Sequence, residues 1–155
     1  MTAPTSSFSM LLPAARIAVF SPHAETRAVI QSLSKDWRFA RVGIEVHEGS
    51  AREAIAHYGH APTPNLLLID TDVIDESFTG RLEALAGVCT EGTNAIVIGP
   101  VNDIALYRYL IAQGVSDYLV RPLAAPAVAD VIARVLLEQL GTSDSQLIAV
   151  LGAKG

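Results

Sequence analysis

The chain has 155 residues, the length of one domain that buries enough surface to fold unaided. Half of its residues are apolar and 17% are charged, which excludes a disordered or solvating segment. The formal net charge of −5 excludes a basic field, so the protein lacks the main electrostatic attraction towards nucleic acids and anionic membrane surfaces.

Apolar runs alternate with helical patterns along the chain, which is typical of a parallel sheet covered by helices. Residues 1–14 precede the first run and are predicted to form a flexible tail. The third run, LLLI, has no polar alternation and indicates a strand buried on both faces. The predicted strands are Arg16–Phe20, Val42–Val46, Leu66–Ile69, Ala95–Ile98 and Tyr118–Val120.

A helical spacing of apolar residues follows each predicted strand. Ser50 suits a helix N-cap, and Gly114 stands where glycine is favoured just past a helix C-terminus. The pattern predicts an α/β fold over residues 15–140, a doubly wound (βα)5 sandwich with a five-stranded parallel sheet. The predicted helices are Glu25–Leu33, Ser50–Tyr58, Arg81–Val88, Asp103–Ala112 and Val128–Leu140.

Ligands of a doubly wound sheet bind beyond the carboxyl ends of the strands, so the residues that follow each strand decide the chemistry. These segments are Ser21-Pro22-His23, His47-Glu48, Asp70-Thr71-Asp72, Gly99-Pro100 and Arg121-Pro122.

Two segments resemble two-component receiver domains. GVSDYLVRPL at Gly114–Leu123 resembles the last receiver strand, and PNLLLID, which ends at Asp70, resembles the third. The resemblance implies a CheY-like, flavodoxin-like sandwich. It also implies that Asp70 stands at the phosphorylated position, that Tyr118 is the switch aromatic and that Arg121 replaces the invariant lysine. Pro122 is the following proline, which usually has a cis peptide bond in that family.

Departures from the receiver pattern change the expected chemistry of this site. Ser21 and Pro22 replace the acids that hold Mg²⁺, and Gly99 replaces the hydroxyl residue that contacts the phosphoryl group. Phosphoryl transfer depends on positioning and charge neutralisation. We therefore expect a vestigial site of Asp70, Arg121, Gly99 and Ser21 without metal or cofactor, in which Asp70 pairs with Arg121. The alternative is a phosphorylatable two-component switch with Asp70 as phosphoacceptor.

The end of the chain resembles the opening of the deviant Walker A loop of ParA/MinD-type ATPases. Residues 147–155, LIAVLGAKG, correspond to a strand that runs into the phosphate loop, of which Lys154 and Gly155 are present. The resemblance implies a linker over residues 141–146 and the truncated start of an ATPase domain. ATP and Mg²⁺ would bind only in that downstream domain, so we expect this chain not to be an enzyme. A nucleotide-binding enzyme domain, the other possibility, needs sequence beyond Gly155.

A receiver-like domain before a ParA/MinD-like ATPase is the arrangement of the TadZ/CpaE family of pilus assembly proteins. The resemblance implies a non-catalytic module for protein–protein interaction, dimerisation and polar localisation in Tad (Flp) pilus assembly. The expected partners are a second copy and pilus secretion or polar-marker proteins. No apolar run reaches the about 18 residues of a membrane span, and residues 1–9 make a poor signal peptide. We therefore expect a cytoplasmic protein, held at a cell pole by its partners.

The helix predicted over Asp103–Ala112 is apolar nearly all round. One stripe must face the sheet, which leaves an exposed patch unless something covers it. Receivers commonly dimerise through this face, and we expect Tyr107, Tyr109 and Tyr118 to contact the partner. The other interpretation is that the apolar tail at Phe8–Leu12 covers the helix.

The histidines carry weaker signals. His57 and His60 have a spacing compatible with a metal site, and His47 precedes them, but the sequence places no third ligand. We therefore interpret them as a solvated helix end. His23 with Glu25 suggests acid–base chemistry, but without a nucleophile the pair is interpreted as the start of a helix.

The single cysteine and a second acid complete the candidate groups. Cys89 excludes an internal disulfide and a multi-cysteine zinc site, and it is expected to be an inert thiol. Asp72 follows Asp70 by two residues, and we expect the two carboxylates to diverge as separate loop acids.

Overall fold

One five-stranded parallel sheet forms the centre of the protein. The structure is a computed structural model, and it describes residues 10–141. The strands are β1 (Ala15–Ser21), β2 (Val42–Glu48), β3 (Leu66–Asp70), β4 (Asn94–Gly99) and β5 (Asp117–Val120). They lie in the order β2-β1-β3-β4-β5, and every neighbouring pair is parallel. The predicted α/β, doubly wound fold is confirmed.

A helix follows each strand and returns the chain to the start of the next. The helices are α1 (Ala24–Ser32), α2 (Ala51–Tyr58), α3 (Glu76–Val88), α4 (Ile104–Ala112) and α5 (Ala125–Leu136). Short helical turns that the sequence did not predict follow α1 and α5: two 3-10 turns at Leu33–Lys35 and Trp37–Phe39, and a π turn at Leu137–Gly141. No helix within residues 10–141 has the length and apolar character needed to cross a bilayer.

Aspartate caps decide where two of the helices begin. The Asp75 carboxylate accepts a hydrogen bond from the Phe78 N–H at 3.0 Å, so α3 begins at Glu76 and not at the predicted Arg81. The Asp103 carboxylate likewise accepts from two N–H groups in the first turn of α4. Both caps satisfy backbone donors that the first helical turn leaves without partners.

Three other helix ends follow the chemistry of the local sequence. The Glu53 carboxylate accepts a hydrogen bond from the Ser50 N–H at 2.8 Å at the start of α2. Gly114 follows the end of α4 with a φ of 103°, a left-handed conformation that strains other residues. Proline in its first turn lets α5 begin at Ala125, three residues before the predicted Val128.

Two hydrophobic clusters cover the two faces of the sheet. The α1 and α5 side is packed by buried residues that include Ile17, Leu66 and Ile132. The α2, α3 and α4 side is packed by residues that include Phe20 and Leu110. Every residue of β3 is buried, because helices cover this central strand on both sides.

The packed domain begins before the predicted boundary at residue 15. Leu12 is fully buried in the α1 and α5 cluster, and its N–H donates to the Arg38 carbonyl at 2.9 Å. The end of the predicted 1–14 tail is therefore part of the core. Because Leu12 lies on the face opposite α4, it does not cover that helix. Residues 1–9 and 142–155, with most of the predicted linker and the Lys154-Gly155 motif, lie outside the described residues.

Candidate functional site

The carboxyl ends of β1, β3 and β5 bring the predicted site residues together. Ser21 and Asp70 are the last residues of β1 and β3, which are neighbours in the sheet. Arg121 directly follows β5, and its N–H donates to the Gly99 carbonyl at the end of β4 at 2.9 Å. The Arg121–Pro122 peptide bond is cis, as the receiver resemblance implies. All four residues of the predicted vestigial site therefore lie at one edge of the sheet.

Both oxygens of the Asp70 carboxylate have donors within the chain. Asp70 is fully buried. The Ser21 hydroxyl donates to Oδ2 at 2.6 Å, and Arg121 Nε donates to Oδ1 at 2.9 Å. Burial raises the pKa of the Asp70 carboxyl, whereas the Ser21 hydroxyl and the Arg121 charge oppose that rise. The expected pairing of Asp70 with Arg121 is present.

The Arg121 guanidinium joins two carboxylates that the sequence analysis expected to diverge. Its Nη2 donates to Asp72 Oδ1 at 2.9 Å and to the Thr71 carbonyl at 3.1 Å, while Nε holds Asp70. The expectation was wrong because it considered only the strand geometry. The planar guanidinium spans the distance between the two acids, which a compact ammonium group does not.

His23 joins this cluster through Asp72 and not through Glu25, its predicted partner. His23 Nε2 lies 2.6 Å from Asp72 Oδ1, and this hydrogen bond, with Arg121, lowers the pKa of the Asp72 carboxyl. The His23 N–H donates to Ser21 Oγ at 3.0 Å. The His23–Asp72 pair was not predicted from the sequence, although the two residues follow adjacent parallel strands, which is the signal that could have revealed it.

The donors at this edge do not fit the Mg²⁺ ion that receiver domains hold there. Magnesium needs several oxygen ligands whose lone pairs are free to face it. Arg121 directs N–H groups at Asp70 and Asp72, and Ser21 directs its hydroxyl proton at Asp70. The positive charge beside Asp70 is supplied by the protein itself.

Tyr118 occupies the space next to Gly99. Its side chain is buried, and its hydroxyl donates to the Val101 carbonyl at 2.7 Å. A Cβ added at Gly99 would lie 2.6 Å from Tyr118 Oη and 3.0 Å from Ile74 Cδ1. Burial raises the pKa of the Tyr118 phenol. Tyr118 is therefore a packed core residue in this structure and does not form part of the exposed face to which the sequence analysis assigned it.

The other two predicted contact tyrosines lie on the exposed surface of α4. Tyr107 is 42% exposed and Tyr109 is 46% exposed. Ile104, in the first turn of the same helix, is 67% exposed, and Leu110 is the buried anchor of the helix. The predicted apolar patch on α4 is therefore present.

Crystal structures of pilus assembly proteins are similar to this chain over most of their length. CpaE from Caulobacter crescentus CB15 is 35% identical, with a TM-score of 0.77 over 81% of this chain and 96% of its own. The CpaE2 protein from Sinorhizobium meliloti 1021 is 39% identical, with a TM-score of 0.73 over 77% of this chain and 98% of its own. The chain belongs to the CpaE family of pilus assembly proteins.

Receiver domains share the fold of this CpaE-family domain. A CheY-like response regulator receiver domain from Methanospirillum hungatei JF-1 is 20% identical, with a TM-score of 0.61 over 82% of this chain and 97% of its own. No protein-family profile and no curated protein sequence matches the chain. The solved structures therefore establish the family, and the predicted receiver-like domain of a CpaE-type protein is confirmed.

Cys89 lies at the end of α3, away from the site. It is partly buried, and burial raises the pKa of its thiol. A raised pKa keeps the sulfur protonated and weakly nucleophilic at neutral pH. This agrees with the inert thiol expected from the sequence.

Proposed function

We propose that this CpaE-family domain is a non-catalytic interaction module in Tad (Flp) pilus assembly, with a receiver site that is no longer phosphorylated. The observation that carries the proposal is the state of Asp70. Its carboxylate is buried, and each oxygen accepts a hydrogen bond from a donor of the chain, Ser21 or Arg121.

Phosphorylation of Asp70 would require one of these oxygens to attack a phosphorus atom. The attacking oxygen is less nucleophilic while it accepts the hydrogen bond from Ser21 or Arg121. Negative charge on the phosphodonor would then need a cation, because the carboxylate and the phosphate repel each other. Arg121 is already shared between Asp70 and Asp72, and the donor set does not suit Mg²⁺. These features support a site in which the Asp70 carboxylate binds Ser21 and Arg121 and does not accept a phosphoryl group.

The first prediction concerns phosphorylation. Incubated with Mg²⁺ and acetyl phosphate, the protein is expected to keep its intact mass, because both Asp70 oxygens accept hydrogen bonds from the chain and the surrounding donors do not suit Mg²⁺. Asp70→Asn serves as the control for any adduct at another position, and a phosphorylatable receiver confirms the reagent. A phosphoryl adduct that Asp70→Asn removes would contradict the proposal and support a two-component switch.

The partner face of the proposed module is the exposed surface of α4 with β5 and α5. Ile104, Tyr107 and Tyr109 expose apolar and aromatic surface on one helix, and Leu12 packs on the opposite side of the sheet. Large aromatic side chains at a surface provide contact area at a low cost in conformational entropy. We extend the proposal to dimerisation through this face and to polar localisation through protein partners.

The second prediction concerns the oligomeric state. Light scattering after size-exclusion chromatography is expected to show a dimer at micromolar concentrations. Tyr107→Glu or Tyr109→Glu should weaken the dimer at least about tenfold, since each buries a carboxylate in the interface. Trp37→Glu is the matched control, because Trp37 is 59% exposed and lies outside α4. A wild-type monomer at every concentration would refute dimerisation through this face.

A further inference from the structure

Three side chains suited to metal binding converge between the edge strand β2 and the last turn of α2. Glu45 and His47 are two residues apart on β2, so they lie on the same face of the sheet. His57 lies on α2, which covers that face. One ligand atom from each side chain lies within 4.8 Å of the others. We propose that Glu45, His47 and His57 bind a divalent transition-metal ion of the Zn²⁺ class.

Neighbouring aromatic residues hold the two histidines in place. His47 pairs in register with Phe20 of β1, and their rings stack with centroids 4.5 Å apart and planes 11° apart. The His57 ring lies 4.7 Å from the His47 ring and packs edge-on against Tyr58 at 4.7 Å. Because Phe20 is buried, the stack fixes the plane of the His47 ring and leaves the edge of that ring, which carries the nitrogen atoms, available to a ligand.

The donor set selects the class of ion. Two imidazole nitrogens and one carboxylate oxygen are the protein ligands of many zinc sites, with a fourth position open to water. Tetrahedral zinc with bonds of about 2.0–2.2 Å places its ligand atoms about 3.4 Å apart. His47 Nε2 and Glu45 Oε1 are already 3.3 Å apart. The His57 ligand atom lies within 4.8 Å of both, so a small shift of this exposed side chain would complete the set. Mg²⁺ prefers oxygen ligands and does not suit the site.

Arg16 is a cation that competes for Glu45. Its Nη2 lies 3.7 Å from Glu45 Oε2, and both side chains are close to half exposed. The contact is long and solvated, so it opposes metal binding weakly. It also uses the oxygen that does not face His47, which leaves Oε1 for the ion.

His60 has a sequence spacing from His57 that is compatible with a metal site, but it is not one of the three side chains that converge. The structure supplies the missing third ligand from β2, because Glu45 and His47 project from alternate positions of one strand. His60 follows α2 and does not belong to the group that converges. It therefore provides a control of the same residue type within three residues of His57.

The experiment is a Zn²⁺ titration of the untagged, chelator-treated chain by isothermal calorimetry, with the bound metal counted by native mass spectrometry. One Zn²⁺ per chain is expected, with no displacement by equimolar Mg²⁺. His47→Ala and His57→Ala should each weaken binding at least about tenfold, since each removes a ligand. His60→Ala should leave the affinity unchanged.

Two further measurements keep the test decisive. Glu45→Gln replaces the ligating carboxylate by a neutral amide, so it should weaken binding at least about tenfold. Because it keeps the size of an exposed side chain and leaves the stack of His47 on Phe20 unchanged, the variant should fold. Circular dichroism of each variant confirms that it is folded. The proposal is overturned if wild type binds no Zn²⁺, or if folded His47→Ala, His57→Ala and Glu45→Gln bind it as tightly as wild type does.

Discussion

Arg121→Met is expected to lower the free energy of unfolding by about 3 kcal/mol near pH 7. The methionine keeps much of the apolar stem but removes the guanidinium that donates to Asp70 and Asp72. Asp70 is then a fully buried carboxylate with Ser21 as its remaining side-chain donor. Breaking a buried ion pair leaves an uncompensated charge, which costs more than the intact pair contributes. Urea unfolding of the wild type and the variant measures the difference.

The loss caused by Arg121→Met should shrink as the pH falls. Burial already raises the pKa of Asp70 in the folded state, and removal of Arg121 raises that pKa further. A carboxyl whose pKa is higher in the folded state than in the unfolded state binds its proton more tightly when folded. Ionised Asp70 therefore destabilises the protein above its folded pKa, and this penalty disappears as the pH falls through that value towards the unfolded pKa of about 3.9.

A double variant distinguishes the two possible causes of the lower stability, the unpaired charge of Asp70 and the lost packing of Arg121. In Arg121→Met with Asp70→Asn, no charge remains to be neutralised, so most of the stability should return. Asp70→Asn alone keeps the shape of the side chain and leaves Arg121 paired with the exposed Asp72, so it should cost less than Arg121→Met does. A loss that persists at acid pH and in the double variant would show that Arg121 stabilises the protein through packing and not by neutralising Asp70.

The helices and strands could be predicted because the spacing of apolar residues indicates which side chains are buried. Leu66–Ile69 reads as a strand buried on both faces, and each of its residues is fully buried. The start of α3 at Glu76 was missed because Phe78 is the only apolar residue among its first six, although the capping residue Asp75 was a readable signal. The burial of Leu12 depends on contacts with α1 and α5, which no local pattern reveals.

The candidate site could be predicted in part, because parallel strands end at a common edge. That rule brings Asp70 and Arg121 to one edge, and the receiver resemblance singled out this pair among the strand ends. The capture of Asp72 depends on the reach of a guanidinium, and the burial of Tyr118 depends on the absence of a side chain at Gly99. Both are properties of three-dimensional packing across strands. The receiver resemblance, which makes Tyr118 the switch aromatic, therefore placed it on the partner face.

Gly99→Ala is expected to lower the free energy of unfolding by about 2 kcal/mol. The new methyl group would lie 2.6 Å from Tyr118 Oη and 2.9 Å from Tyr118 Cε1, both below a van der Waals contact. Tyr118 must move, and its buried hydroxyl then loses the hydrogen bond to the Val101 carbonyl. Gly87→Ala is the matched control, since a Cβ at Gly87 in α3 meets nothing within 4 Å and should stabilise the helix.

A double-mutant cycle with Tyr118→Leu tests whether Gly99 and Tyr118 depend on each other. Tyr118→Leu removes the two closest contacts of the added methyl group and leaves the 3.0 Å contact with the flexible end of Ile74, so the alanine should then cost less than about 1 kcal/mol. Equal costs in both backgrounds would contradict the coupling. Receivers carry at this strand end a hydroxyl residue that contacts the phosphoryl group, and the same volume here is filled by the Tyr118 ring. A serine at position 99 would therefore have to displace Tyr118 before it could contact any ligand, so the loss of the hydroxyl and the burial of Tyr118 form a single structural change.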